Sequence, residues 1–282
     1  MNAETSGTRA GNRQAENEAR IRDRYLDLLI GALTHTVYAG VDVIEVPEHV
    51  QKGFAKAIAA AGEGWMLWDP ERARAEGRDW PKYAQTMVGL DRMRNVRWCA
   101  EQVLQDDVPG DLIEAGVWRG GVGILMRGVL AAYGVDDRAV WVADSFEGLP
   151  APQPDRYPAD RGDRSYEQEP LAASLEEVQE NFRRYGLLDD QVRFVEGWFR
   201  DTLPGLRDRR WSVVRLDGDM YESTADSLRN LYDGLSVGGF LIVDDFALPQ
   251  CRQAVEDFRA DRGIDDPIEH VDWTGAFWRK RE

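Results

Sequence analysis

The spacing of apolar residues along the chain changes near residue 110. Before that point, apolar residues recur at helical spacing over residues 21–38, 46–62 and 83–110, which predicts amphipathic helices. After it, short apolar runs alternate with helical patterns. The helical patterns cover residues 120–134, 174–187, 222–239 and 249–263. The strand-like runs are GDLIEAGV (110–117), AVWVADSF (139–146), QVRFVEGWF (191–199), WSVVRLDGD (211–219), FLIVDDF (240–246) and IEHVDWTGAFWRK (268–280).

This alternation predicts an α/β fold with a mostly parallel sheet and helices on both faces. We expect residues 85–282 to form that domain and residues 21–84 to form a helical N-terminal extension packed on it. Residues 1–20 are polar, which is typical of a disordered tail. The proline-rich residues 150–170 lie between a strand and a helix, which is typical of a lid or binding loop; a disordered insertion is the alternative.

The composition narrows the classes of partner. The formal net charge of -16 argues against nucleic acid and against an anionic membrane, because both select a basic surface. No apolar run is long enough to span a bilayer, and the N-terminal residues lack the apolar segment of a secretory signal. Cys99 and Cys251 have no histidines nearby, so they predict two buried or half-buried thiols rather than a zinc site or a disulfide framework. We expect a cytoplasmic homo-oligomer.

A glycine-rich stretch, LIEAGVWRGGVGILM, passes from the end of a strand into a helix. Gly116 and Gly120 allow a backbone to approach a ligand closely. Their spacing, Glu-x-Gly-x-x-x-Gly, differs from the Gly-x-Gly-x-x-Gly of dinucleotide sites, which disfavours an NAD-linked oxidoreductase. The stretch resembles motif I of class I S-adenosyl-L-methionine (SAM) methyltransferases; a purely structural turn is the alternative.

Two later strand ends extend this candidate site. Asp144 follows Gly116 by 28 residues and ends the second strand, where a carboxylate can accept hydrogen bonds from ribose hydroxyls. Capping of a helix is the alternative role for Asp144. Gly197 and Trp198 end the third strand, and the tryptophan can border an adenine or pack in the core.

Carboxylates collect at the ends of the fourth and fifth strands. Asp217 and Asp219 end one, and Asp244 and Asp245 end the other. One helix separates the two strands, so we expect them to be neighbours whose ends face one crevice. Asp217, Asp244 and Asp245 then meet with only Arg215 to offset them, which favours a hard divalent cation such as Mg²⁺. Exposed acids or helix caps are the alternative.

Taken together, these motifs resemble the TylF/MycF family of natural-product O-methyltransferases, which methylate sugar hydroxyls on macrolide and aminocoumarin antibiotics. The matching stretches are TMVGLDRMRNV, DLIEAGVWRGG, ADSFEGLP, VRFVEGWFRDTLP, RLDGDMYEST and GGFLIVDDF. They run from about residue 86 to residue 246. The resemblance implies Asp217, Asp244 and Asp245 as magnesium ligands, and either Asp217 or Asp219 as the general base.

The resemblance also implies contacts with SAM. Thr86 and Met87 are expected contacts on the resemblance alone. The other expected contacts lie in the motif stretches: Glu114, Gly116, Val117, Trp118, Arg119, Gly120, Asp144, Ser145, Phe146, Gly197, Trp198 and Asp217. The aromatic residues Tyr25, Tyr38, Trp65 and Trp68, with the loop 150–170, are expected to cover a large acceptor; core packing is the alternative for them.

The function implied is SAM-dependent, Mg²⁺-assisted methylation of a sugar hydroxyl on a glycosylated natural product. A catechol-type O-methyltransferase is an alternative that would also use Mg²⁺ and vicinal hydroxyls. Such enzymes commonly place a lysine near the hydroxyl, and none of the four lysines here is near the acidic motifs. A non-catalytic SAM-fold binding protein is the other alternative, although it would not need to keep four strand-end aspartates.

Overall fold

The computed structural model describes residues 4–38, 40, 43–44 and 70–282, and describes side chains from residue 13 onward. The helix predicted over residues 46–62 lies outside the described residues, as do Trp65 and Trp68.

The strands of the described chain form one sheet. Their bounds are β1 Asp111–Ala115, β2 Val140–Asp144, β3 Val192–Glu196, β4 Trp211–Leu216, β5 Leu235–Val243, β6 Glu269–His270 and β7 Ala276–Arg279. The order across the sheet is β3-β2-β1-β4-β5-β7-β6. Strands β1 to β5 pair in parallel, and β7 is antiparallel to both β5 and β6. The predicted α/β fold with a mostly parallel sheet is confirmed.

Helices pack on both faces of this sheet. Their bounds are α1 Glu4–Leu33, α2 Pro70–Glu76, α3 Leu90–Gln105, α4 Gly121–Ala132, α5 Leu175–Arg184, α6 Phe199–Thr202, α7 Tyr221–Leu231 and α8 Pro249–Arg262. One apolar core includes residues of α1, α3, α4 and α5, and a second includes residues of α7 and α8. Side chains alternate along a strand, so Leu112 of β1 joins the first core and Ile113 the second. None of the described helices is long and apolar enough to cross a membrane.

Two boundaries differ from the sequence-based prediction. Helix α1 begins at Glu4, within the stretch whose composition predicts a disordered tail. Further along this helix, Gln14 donates to Glu18 at 2.9 Å, and a pair of this kind one turn apart favours a helix. Strand β5 begins at Leu235, inside the predicted helix 222–239, because the following Ser-Val-Gly-Gly has low helix propensity.

The sheet brings the candidate residues to one edge. The strand order reverses between β1 and β4, which creates a crevice at the C-terminal ends of these strands. The last paired residues of β1, β4 and β5 lie in one row across the sheet. Gly116, Asp217 and Asp244 follow that row directly, so the glycine loop and the acidic motifs meet at the same edge.

We predict that Gly116→Ala destabilises the fold strongly. Gly116 has a φ of +91°, which L-residues rarely adopt, and an added methyl group would overlap the carbonyl oxygen of Asp217. Urea denaturation should show a loss of more than about 2 kcal/mol in the free energy of unfolding. Gly134→Ala is the matched control: its φ is +67°, but no described atom lies within 4 Å of the added carbon. We expect it to cost about 1 kcal/mol, and equal losses in both variants would contradict the close approach.

Candidate active site

Two clefts open side by side at the C-terminal edge of the sheet. The glycine-loop cleft is lined by residues including Gly116–Trp118, Asp144, Ser145 and Trp198–Arg200. Its volume, including the solvent-filled opening, is about 770 Å³. The aspartate cleft is lined by residues including Trp80, Asp244, Asp245 and Trp273, and measures about 1710 Å³ in the same way. Asp217 and Asp219 belong to the walls of both clefts. Groups bound in the two clefts would therefore meet at these two aspartates.

The backbone beside the glycine-loop cleft adopts unusual conformations. Trp118, Phe146 and Asp219 have φ values of 46°, 57° and 56°. A non-glycine residue held in this left-handed region costs about 1–3 kcal/mol, and such residues concentrate at ligand sites. Trp118 and Asp219 line the cleft, and Phe146 follows Ser145, which also lines it. The folded chain maintains this strain at the place where the sequence predicts a ligand.

Asp144 joins the end of β2 to the glycine loop. Its carboxylate accepts hydrogen bonds from the backbone N–H groups of Val117 at 2.7 Å and of Phe146 at 2.9 Å. Burial raises the pKa of Asp144, and the donors at Val117 and Phe146 counteract that shift. A carboxylate can accept about four hydrogen bonds. Asp144 therefore fixes the loop and retains the capacity to accept a bond from a ligand hydroxyl in the cleft.

The three predicted metal ligands come together in the structure. One carboxylate oxygen from each of Asp217, Asp244 and Asp245 lies within 4.8 Å of the other two. Oδ2 of Asp245 accepts a hydrogen bond from the backbone N–H of Asp219 at 3.0 Å. Within the described part of the chain, Oδ1 of Asp217 and Oδ1 of Asp245 accept no hydrogen bond, so both keep their lone pairs for another ligand.

Arg215 is the buried counter-charge that the sequence predicts. It lies on β4 and is fully buried. Its guanidinium donates to Glu114 at 2.6 Å, to Asp217 at 2.9 Å and to Oδ1 of Asp244. These three acids follow or belong to three adjacent strands, so Arg215 links the strand ends across the crevice.

Arg92 is a second counter-charge that the sequence analysis missed. It lies in the first turn of α3, donates to Oδ2 of Asp244, and donates from Nε to Asp272 at 2.9 Å. The expectation that Arg215 alone offsets the acids is therefore corrected. A signal was present in the sequence, because Arg92 falls on the apolar face of its helix with Val96. An arginine on a buried face requires a counter-ion.

Arg215 and Arg92 affect the pKa values of the neighbouring acids unequally. Burial opposes the ionised form of Asp244, but Arg215 and Arg92 together hold its pKa below the ordinary value. Burial and the neighbouring Asp219 raise the pKa of Asp245 well above its usual range. Burial and Asp244 raise the pKa of Asp217 to about 6, and burial and Asp217 raise that of Asp219 to about 8. The carboxyl groups on the side of Asp245 thus lack a cationic partner, and their ionisation is disfavoured.

The residues present fit a hard divalent cation. The donor atoms are carboxylate oxygens, the ligands that Mg²⁺ prefers, and Mg²⁺ commonly leaves further positions to water or substrate oxygens. Burial first and neighbouring carboxylates second raise the pKa values of Asp217 and Asp245, and a cation at this position would favour their ionised forms. The cluster also lines the aspartate cleft, where a substrate can reach it.

Most of the predicted cofactor contacts line one of the two clefts. The glycine-loop cleft contains Met87, Gly116, Val117, Trp118, Asp144, Ser145, Trp198 and Asp217. Thr86 and Glu114 line the aspartate cleft. The remaining four, which line neither cleft, are Arg119, Gly120, Phe146 and Gly197.

Two of the predicted cofactor contacts, Arg119 and Glu114, are charged residues that pair with other groups of the protein. Arg119 donates to the backbone carbonyl of Lys82 at 2.8 Å, so it fastens the segment before α3 to the glycine loop. Glu114 is buried and accepts a hydrogen bond from Arg215. Burial, partly opposed by Arg215, raises the pKa of Glu114 to about 8. The expected contacts of Arg119 and Glu114 with SAM stay predictions.

The other three residues shape the loops around the cleft. Gly120 has a φ of +83° at the start of α4, where a Cβ would lie 2.7 Å from the Val178 side chain. Phe146 donates its N–H to the Asp144 carboxylate, and Gly197 donates its N–H to the Asp144 carbonyl at 2.8 Å. The expected contacts of Gly120, Phe146 and Gly197 with SAM stay predictions.

Residues 150–170 form short 3₁₀ turns and line part of both clefts. Asp160 is buried and accepts hydrogen bonds from the backbone N–H groups of Tyr221 at 2.7 Å and Glu222 at 3.0 Å, at the start of α7. The segment Gly162–Ser165 lines the aspartate cleft. The loop is thus an ordered wall of the site, and its tightening on acceptor binding stays a prediction.

The segment before α3 supplies another wall. Asp79 and Trp80 line the aspartate cleft, as does Trp273 from the loop before β7. Tyr25 and Tyr38, predicted to cover the acceptor, are exposed and line neither cleft. The sequence pattern did not single out Trp80 or Trp273, because an isolated tryptophan reads equally well as core.

The chain is similar to known O-methyltransferases over nearly its whole length. The relative 8-demethyl-8-(2,3-dimethoxy-alpha-L-rhamnosyl)-tetracenomycin-C 4'-O-methyltransferase of Streptomyces olivaceus is 52% identical over 259 residues, 92% of this chain and 93% of that protein. The demethyldecarbamoylnovobiocin O-methyltransferase of Streptomyces niveus is 48% identical over 258 residues, 91% and 93% of the two chains.

A solved structure and a family model agree with these relatives. The structure of the O-methyltransferase NovP has a TM-score of 0.81 at 45% sequence identity and covers 93% of this chain and 100% of its own. The family model of macrocin O-methyltransferases (TylF) matches residues 22–280. The resemblance seen in the motifs therefore extends to the whole fold, and this chain belongs to the macrocin O-methyltransferase (TylF) family.

Proposed function

We propose that this protein is a SAM-dependent O-methyltransferase that methylates a sugar hydroxyl on a glycosylated natural product, with Mg²⁺ held by Asp217, Asp244 and Asp245. The observation that carries this proposal is the junction of the two clefts at Asp217 and Asp219. A methyl donor in the glycine-loop cleft and a hydroxyl beside the acids would meet at that junction. Proximity of this kind supplies a large part of catalysis in group transfer.

The shape of the aspartate cleft supports a large, partly apolar acceptor. Its walls combine the acidic cluster with Trp80, Trp273, Leu248 and Pro249, so a polar sugar and an apolar ring system can both be accommodated. The names of the relatives are consistent with this class, since one includes a rhamnosyl tetracenomycin and the other a novobiocin derivative.

Bound SAM would supply a methyl group on a sulfonium, and bound Mg²⁺ would supply a Lewis acid that lowers the pKa of a substrate hydroxyl. Asp144 and the backbone of Gly116–Trp118 would hold SAM. Asp217, Asp244 and Asp245 would hold Mg²⁺. The loop 150–170, which lines part of both clefts, would help to exclude water from the junction.

Asp219 is the proposed general base. It lines both clefts, and its carboxylate accepts no hydrogen bond from any residue that the structure describes, whereas Asp217 is bonded to Arg215. Asp219 would accept the proton of the substrate hydroxyl as that oxygen takes the methyl group that bound SAM would supply. A pKa near 8, raised by burial and Asp217, suits this task near neutral pH.

The cleft lining does not favour the catechol-type alternative. Among the described residues, no lysine lines either cleft. The cytoplasmic location and the homo-oligomeric state stay predictions.

We predict that the purified protein methylates glycosylated natural products lacking one sugar O-methyl group. Demethyl tetracenomycin and novobiocin glycosides are suitable probes, with SAM as donor and mass spectrometry to detect one added methyl group. EDTA should abolish turnover, and added Mg²⁺ should restore it. Full activity in EDTA would remove the metal from the mechanism. Tight binding of NAD without binding of SAM would contradict the methyltransferase assignment.

We predict that Asp219→Asn lowers kcat by about 10²–10⁴-fold, because the amide cannot accept the proton. Calorimetry should show SAM affinity almost unchanged. In the wild type, activity should fall as pH falls through the pKa of Asp219. Raising Mg²⁺ from a limiting to a saturating concentration should move this decline to lower pH, because a cation favours the ionised carboxylate. An Asp219→Asn enzyme with wild-type kcat would assign the base elsewhere.

We predict opposite effects of Asp244→Asn and Asp245→Asn on the metal-free fold. Asp244→Asn should lower the free energy of unfolding by about 3–5 kcal/mol, because Arg92 and Arg215 lose the carboxylate they share. Asp245→Asn should leave the free energy unchanged or higher, because it removes repulsion from a neighbour. Both variants should lose Mg²⁺-dependent turnover. Urea denaturation in EDTA is the measurement, and equal losses would refute this division between the two acids.

The Asp245 effect should depend on pH. Its pKa is raised in the folded state, so the folded wild type binds a proton that the unfolded chain releases above the ordinary carboxylate pKa. This contribution to wild-type stability therefore falls as pH rises from about 4. The stability of Asp245→Asn relative to the wild type, measured in EDTA, should rise over the same range.

A further inference from the structure

Arg92 lies between the acidic cluster and a separate turn of the chain. Its guanidinium donates to Oδ2 of Asp244 and, from Nε, to Oδ2 of Asp272 at 2.9 Å. Its third nitrogen donates to the backbone carbonyl of Gly77 at 3.3 Å. Arg92 also lines the aspartate cleft. A planar guanidinium with two carboxylate partners has a fixed orientation, so the position of Asp244 is set from a second side.

The turn that holds Arg92 is itself rigidly built. Oδ1 of Asp272 accepts the backbone N–H groups of Thr274 at 3.0 Å and Gly275 at 2.7 Å. A Cβ at Gly275 would lie 2.9 Å from Cγ of Arg92, so the side chain of Arg92 packs against this glycine. Thr274 then donates from its hydroxyl to the backbone carbonyl of Asp244 at 3.0 Å. The turn therefore fixes both Arg92 and Asp244.

We infer that Arg92 is a positioning residue for the proposed divalent cation, which it serves by holding the Asp244 carboxylate in place from its anchor on Asp272. This inference rests on the proposed function, because it needs a cation at the three aspartates. Arg215 cannot do the work alone, since it divides its donors among Glu114, Asp217 and Asp244. Partners that orient metal ligands commonly contribute about 10–100-fold to metal affinity.

Two possible roles of Arg92, as a positive charge and as a positioning residue, predict opposite changes in metal affinity when Arg92 is removed. If only its positive charge mattered, removing it would strengthen cation binding, because repulsion between two cations would disappear. If it positions Asp244, removing it would weaken binding, because the carboxylate loses one of its two arginine donors. The sign of the change in metal affinity therefore distinguishes the two.

The experiment measures Mn²⁺ binding to the full chain by electron paramagnetic resonance, without acceptor and without turnover. We expect Arg92→Met to weaken Mn²⁺ binding by about 10–100-fold. Arg92→Lys keeps the charge but cannot bridge two carboxylates, so it should fall between Arg92→Met and the wild type. SAM affinity, measured by calorimetry, should be unchanged in both variants.

Two further variants separate positioning from a general loss of stability. Asp272→Asn leaves the metal ligands intact and keeps Oδ1 for the turn, but deprives Arg92 of its anchor; it should weaken Mn²⁺ binding by less than Arg92→Met does. Arg127→Met is the matched control, because Arg127 is also a buried arginine and pairs with Asp189 through Nε at 3.0 Å. It should lower the thermal midpoint but leave Mn²⁺ affinity unchanged.

Turnover gives a second readout. In Arg92→Met, the Mg²⁺ concentration for half-maximal methylation should rise by the same factor as the Mn²⁺ dissociation constant, and excess Mg²⁺ should restore part of kcat. Unchanged or tighter Mn²⁺ binding in both Arg92→Met and Asp272→Asn would overturn the role of Arg92 and leave the proposed function intact. No Mn²⁺ binding by the wild type would overturn the proposed cation site and this inference with it.

Discussion

The site depends on the ion pairs that the buried guanidinium of Arg215 makes with three acids. A charge removed from water costs several kcal/mol unless it is paired, and breaking a buried pair costs more than the pair contributes. Arg215 meets this requirement with Glu114 on β1, Asp217 after its own strand and Asp244 after β5. The arginine and these acids stabilise one another. Three strand ends are therefore held in one geometry by electrostatics that tolerate few alternatives.

Close backbone packing adds a second constraint at the same edge. Gly116 has no side chain where the carbonyl of Asp217 approaches, so β1 and β4 can bring the glycine loop and the acids together. Nearby, Trp118 and Asp219 keep left-handed backbone conformations that are unfavourable for their side chains. Such conformations persist only where the surroundings over-determine them. The arginine network and the glycine contact provide that over-determination, and the clefts lie where it acts.

The sequence was sufficient for the architecture and for the acids, but not for their partners. Strand–helix alternation predicted the sheet, and the positions of Asp217, Asp244 and Asp245 at strand ends predicted their meeting. The start of β5 was missed because Leu235 follows a helix with only a short break. Arg92 and Asp272 are 180 residues apart, and no local pattern joins them. Long-range ion pairs depend on how helices pack on the sheet, which periodicity does not encode.

The loop residues show the same limit on a smaller scale. Motif I correctly located the turn after β1, but Arg119 within it reaches outward to the carbonyl of Lys82, whereas Trp118 beside it lines the cleft. Both residues lie in the stretch DLIEAGVWRGG. Which one faces a ligand is decided by backbone dihedral angles in the turn, and the left-handed φ of Trp118 is not a preference of tryptophan. It is imposed by the fold around it.

Asp244 and Asp245 are neighbours in the chain, but the structure gives them different electrostatic environments. Asp244 continues the pairing of β5, with its N–H bonded to the Leu216 carbonyl at 2.9 Å, and its side chain is buried between two arginines. Asp245 is partly exposed, and its carboxylate accepts a backbone N–H but no side-chain donor among the described residues. Both residues lie in the turn that follows β5, and the two carboxylates have different partners there. Two adjacent carboxylates can therefore coexist because one belongs to the charge-balanced interior and the other faces the cleft, where a cation would balance it.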